Sequence, residues 1–156
     1  MKLITLLTLT VVTLTSCNCQ KTAAEKSDLA AKTTMQEKAI PTLEYEANTR
    51  GYYRKITVSD KKAWVAPERN GKAVERNISD TDWNELVALY QSVNKEGLKD
   101  LKAPTEKRFY DGAPMANFRV ITKEMTYQSA TFDGGYPPAE IEKIVNKIIA
   151  IGDKAE

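Results

Sequence analysis

The chain has 156 residues, with 23 Lys and Arg against 21 Asp and Glu and a formal charge of +2. That balance does not favour a nucleic-acid partner, which draws on a basic excess over one face. Histidine is absent, and the only cysteines are Cys17 and Cys19. This excludes Ser-His-Asp and Cys-His nucleophile systems and His-ligated metals, and beyond Cys19 it excludes disulfides and thiolate clusters.

Lys2 opens a short leader, and Leu3 to Leu14 follow as eight aliphatic residues interspersed with Thr5, Thr8, Thr10 and Thr13. A membrane-spanning helix needs about 20 apolar residues, so this run reads as a signal peptide. Leu14-Thr15-Ser16-Cys17 then resembles the lipobox of bacterial lipoproteins. The resemblance implies removal of residues 1–16, lipid on Cys17 and attachment to a membrane. Cys19 has no partner and reads as an exposed thiol. Residues 17–40 are rich in Lys, Ala, Thr, Glu and Gln with isolated Leu29, Met35 and Ile40. That composition predicts a flexible tether. The absence of an acidic run after Cys17 points to an outer-membrane position facing the periplasm.

Residues 41–152 are expected to form a single domain. Leu43 to Ala47 alternate as a half-buried strand does. Strands are also expected at 53–58 and 63–66, with a short one at 73–78. Ser79-Asp80-Thr81-Asp82 is a helix start, with Ser79 as the cap. Trp83, Leu86, Val87 and Tyr90 share one face of a helix over 80–94, which Gly97 ends. Two strands follow, at 116–122 and 125–132, joined at Lys123-Glu124. Pro137-Pro138 opens the last helix, 138–151, with Ile141, Ile144, Val145 and Ile148 inward and Gly152 at its C-cap. The expected fold is α+β: an antiparallel sheet of five or six strands with both helices on one face. A hairpin followed by a helix is expected twice along it.

Local patterns of catalytic type are weak. Ser59-x-x-Lys62 and Ser92-x-x-Lys95 match a short serine/lysine pattern but lack the rest of such a site. Asp80, Asp82 and Asn84 resemble the start of a calcium loop, yet Glu85 stands where glycine is needed, and helix capping explains them.

Two segments echo each other: Phe109-Tyr110-Asp111-Gly112-Ala113-Pro114 and Phe132-Asp133-Gly134-Gly135-Tyr136-Pro137. A hairpin turning between 123 and 124 pairs 117 with 130 and 114 with 133, so both Asp-Gly loops fall at one end of the sheet. Arg108, Tyr110, Asp111, Asp133 and Tyr136 are the candidate binding residues there. The same residues also suit plain turn chemistry.

The lipobox, Arg108-Phe109-Tyr110-Asp111-Gly112-Ala113, and Tyr127-x-Ser129-x-x-Phe132-Asp133-x-Gly135-x-Pro137-Pro138 together resemble small uncharacterised lipoproteins of flavobacteria and related Bacteroidetes. The resemblance implies an envelope location and carries over no catalytic residue. Three readings result. The first is a non-catalytic envelope protein that binds a protein partner, with no cofactor and no nucleic acid. The second is a binding module for a small polar ligand or metal ion at the Asp111 and Asp133 loops. The third is a hydrolase using those two carboxylates, disfavoured by the small domain.

Overall fold

Apolar and polar residues alternate through the first strands, and the alternation decides which side of each strand faces the core. In the computed structural model, residues 39–154 are described. The leader, Cys17, Cys19 and nearly all of the expected tether lie outside them. β1 (Thr42–Thr49), β2 (Tyr52–Ser59), β3 (Lys62–Ala66) and β4 (Val74–Asn77) form an antiparallel meander. The β2–β3 loop is two residues, Asp60 and Lys61, both with positive φ, the geometry that matches the twist of paired strands. β5 (Met115–Ile121) returns to the free side of β1, and β6 (Thr126–Gln128) and β7 (Phe132–Asp133) pair with β5 in turn. The sheet has seven strands in the order β4-β3-β2-β1-β5-β6, with β7 also beside β5. With two helices added, the fold is α+β, as expected.

The core lies between one sheet face and the helices α1 (Asp80–Gln91) and α2 (Glu142–Asp153). The sheet contributes Leu43, Tyr45, Ile56, Val58, Phe118 and Val120, and the helices contribute Trp83, Leu86, Ile144, Val145 and Ile148. Burying each large side chain of this kind stabilises the fold by about 1.5–3 kcal/mol. The other face is polar. Gln128, Arg119, Glu44, Thr57, Trp64 and Glu75 fall in one row across it by strand register. Arg119 bridges Glu44 at 2.5 Å and Glu46 at 3.0 Å, and Lys55 reaches Glu44 at 2.9 Å. Burial pushes the Glu44 carboxyl up, but hydrogen bonds from Lys55 and Arg119 outweigh it and hold the group below its ordinary range.

The helix ends differ from the sequence reading. Ser79 caps α1 as expected, accepting from the Asp82 backbone N–H at 3.2 Å. α1 stops at Gln91 rather than 94, because the Ser92 hydroxyl and N–H both donate to the Leu89 carbonyl. Gly97 precedes a 3-10 turn at Leu98–Asp100. α2 starts at Glu142, after a turn in which the Ile141 N–H donates to the Pro138 carbonyl at 3.0 Å. Gly152 is inside α2, not at its cap. A Cβ there would stand 2.6 Å from Ile56 Cδ1, so glycine is needed for close helix–sheet packing.

The expected strand 125–132 is broken. β6 follows the register expected for the hairpin, with Arg119 opposite Gln128, but β7 places Ala116 opposite Phe132 and Met115 opposite Asp133. One extra residue lies on the outer strand between these pairs, which is a β-bulge. It falls at Ala130-Thr131, opposite Asn117; Ser129 stays opposite Phe118, with its hydroxyl accepting from the Phe118 N–H at 3.0 Å, while the Ala130 N–H turns to the Leu98 carbonyl. The slip turns Phe132 into the core, where it is fully buried.

Candidate functional site

The bulge also sets the end of the sheet. By bringing Asp133 opposite Met115 it places the second Asp-Gly loop against the first, and the Gly134 N–H donates to the Pro114 carbonyl at 2.7 Å. Both loops therefore sit at one end, beside the β1–β2 hairpin, since Met115 also pairs with Asn48. The direct partner of Asp133 is Met115 rather than Pro114, and the bulge accounts for that one-residue difference.

Asp133 is fully buried. Its carboxylate accepts from the Thr105 hydroxyl, the Lys107 N–H at 2.6 Å, the Arg108 N–H at 3.1 Å and the Arg108 guanidinium at 2.9 Å. Burial pushes this carboxyl up, but the bonds from Thr105 and Arg108 and from the two backbone N–H groups outweigh it and hold it down at about 2. A buried carboxylate with four donors is an anchor for the loop that supplies them. Arg108 is spent in the same way, since its guanidinium also donates to the Thr105 carbonyl at 2.8 Å.

The loop so anchored is a short 3-10 turn, Lys107–Tyr110, closed by Asp111 in the left-handed conformation at φ 58°. It presents Phe109 and Tyr110 to solvent at 69% and 71% exposure. Arg108 lies under the Phe109 ring at 4.3 Å, and Lys107 Nζ lies over the Tyr136 ring at 3.8 Å. Met115 and Tyr52 are exposed at the same end. Of the seven large apolar side chains exposed among the described residues, five gather here: Tyr52, Phe109, Tyr110, Met115 and Tyr136. Clustered exposed apolar groups of this kind mark interaction surfaces, whereas scattered ones do not.

Of the five residues named from sequence, Tyr110, Asp111 and Tyr136 face outward, while Arg108 and Asp133 support them from within. Asp111 and Asp133 are thus unequal: one carboxylate is exposed, the other is enclosed with its oxygens engaged. Phe109, Lys107, Met115 and Tyr52 were missed. Phe109 carried a readable signal, as an aromatic beside another aromatic in a polar loop. Thr105, which donates to Asp133, carried none. Among the described residues, no three His, Cys, Asp or Glu side chains converge as a metal site. No helix among them is long and apolar enough to cross a membrane. No family model, curated protein or solved structure matches the chain.

Proposed function

We propose that the chain is a lipid-anchored envelope protein whose folded domain binds a protein partner through the aromatic end of its sheet, without catalysis. One observation carries the reading: Phe109 and Tyr110 are mostly exposed on a turn that the buried Asp133 holds in place. Ordering an aromatic pair costs free energy on binding, and a turn already fixed has met most of that cost. Aromatic side chains on such a platform are the residues that dominate binding energy at protein interfaces. The anchor is the lipobox at Cys17, which belongs to the same proposal, as does membership of the flavobacterial lipoprotein group.

The test is a crosslinking pull-down from native envelopes with the full chain and with a Phe109→Ser, Tyr110→Ser double variant. Both residues are exposed, so the variant keeps its stability within about 0.5 kcal/mol. The wild type retains a stoichiometric protein and the variant loses it. Equal recovery by both would place the interaction elsewhere on the domain.

A further inference from the structure

We infer that the partner presents a carboxylate to Lys107, beside a recess that receives Phe109 and Tyr110. This rests on the protein-binding reading above and names the chemistry of the residue that faces this end of the sheet.

Lys107 is a half-buried cation in an aromatic frame. Its backbone N–H is fixed by Asp133 at 2.6 Å, so the side chain leaves the turn from a set position. Its ammonium lies over the Tyr136 ring, and a hydrogen bond toward Tyr136 raises its pKa while burial opposes the rise. Tyr110 and Asp133 contribute further at longer range. Among the described residues, no carboxylate forms an ion pair with it. Asp133 cannot serve, because its oxygens already receive Thr105, Arg108 and two backbone N–H groups. The other lysines with raised pKa values, Lys55 and Lys147, each hold carboxylates directly. Lys107 is therefore a charged, positioned donor beside Tyr136 in the exposed aromatic cluster, with capacity left for an anion. Covering this cluster removes water from the ammonium, and an unpaired buried charge is costly, so an occupant that covers it must bring a negative group.

An anionic lipid headgroup has the right charge but fits the surface less well. Asp111 is exposed at the tip of the turn that carries the aromatics, and seating that turn in an anionic interface would press a carboxylate against like charge. A protein can place its acid at Lys107 and leave Asp111 in water.

The experiment uses the full-length chain in native envelopes and a carbodiimide, which joins an amine to a carboxylate only when they touch. A photoreactive residue at position 110 reports in parallel whether any partner is present. The expected result is an isopeptide between Lys107 and an Asp or Glu of one other protein, together with a photo-adduct to that same protein. Lys107→Arg, which keeps the charge but cannot form the amide, loses the isopeptide and keeps the photo-adduct. Lys107→Met weakens the photo-adduct at least tenfold. A photo-adduct that is unaffected by Lys107→Met, with no isopeptide at Lys107, overturns the carboxylate inference while leaving the protein-binding reading in place. Absence of any photo-adduct overturns both. An isopeptide to a second copy of this chain, or Lys107-dependent binding to phosphatidylglycerol vesicles, contradicts the partner stated here.

Discussion

Asp133 does at the scale of one residue what the aromatic end needs. With four donors on a fully buried carboxylate, Asp133→Asn turns an amide N–H toward groups that are themselves donors. Hydrogen bonds to charged groups and broken buried pairs imply a loss of about 3 kcal/mol in urea unfolding at neutral pH. The pH dependence has a definite sign. An unfolded Asp titrates near 3.9, and Asp133 in the folded protein titrates at about 2. The contribution of the site is whole above about pH 4 and is lost as pH falls through 2, because the unfolded state takes up the proton first. Stability of the wild type against pH should fall across that window, and the Asp133→Asn variant should show a shallower fall. Identical slopes would mean that other carboxylates dominate the acid response. The sequence pointed to Asp133 as a loop residue because Asp-Gly is turn chemistry. Its burial could not be read, since its donors come from residues 105–108, remote in the chain and outside any periodic pattern.

At the scale of elements, the strands and helix stripes were legible because a period of two or of 3.6 decides which side chains turn inward. Leu43, Tyr45 and Ala47 on β1, and Trp83, Leu86 and Val87 on α1, are buried as their spacing requires. The departures are local contests that periodicity does not record. Ser129, Ala130 and Thr131 carry no glycine or proline to announce a bulge, yet without the extra residue Phe132 would point away from the core. Deleting Ala130 should therefore cost about 3 kcal/mol or more, the scale of losing a buried Phe, with exposure of the Phe132 ring measurable by dye binding. Gly152 tests helix propensity against packing. Alanine is favoured over glycine inside a helix by about 1 kcal/mol, but its Cβ would meet Ile56, which is fully buried. The expected outcome of Gly152→Ala is a loss of about 1 kcal/mol. In an Ile56→Val background, where Cδ1 is gone and Cγ1 remains at 3.1 Å, the same change should cost less. A double-mutant cycle in thermal unfolding measures that coupling, and additive effects would show that the contact is not what selects glycine.

At the scale of the whole molecule, the two sheet faces and one sheet end have separate roles. One face is closed by α1 and α2, the other carries the Glu44, Glu46, Lys55 and Arg119 network, and among the described residues the aromatic end has neither an apolar cover nor a full set of charge partners. β1 enters the sheet at Thr42, opposite Ile121, and runs toward Asn48, opposite Met115. Thr42 thus stands at the far end of the sheet from Phe109 and Tyr110. Lipid on Cys17 is a separate expectation. The intact mass of the mature protein should correspond to a chain starting at Cys17 plus diacylglycerol, and Cys17→Ser should abolish both cleavage and the added mass. A position scan with a photoreactive residue at Phe109, Tyr110, Tyr136 and Met125 in native envelopes tests the central claim most directly. Met125 is also exposed but lies beyond β5 at the opposite end. The account predicts one common adduct from the first three sites and none from Met125; adducts of equal yield from Met125, or none from the aromatic end, would contradict it.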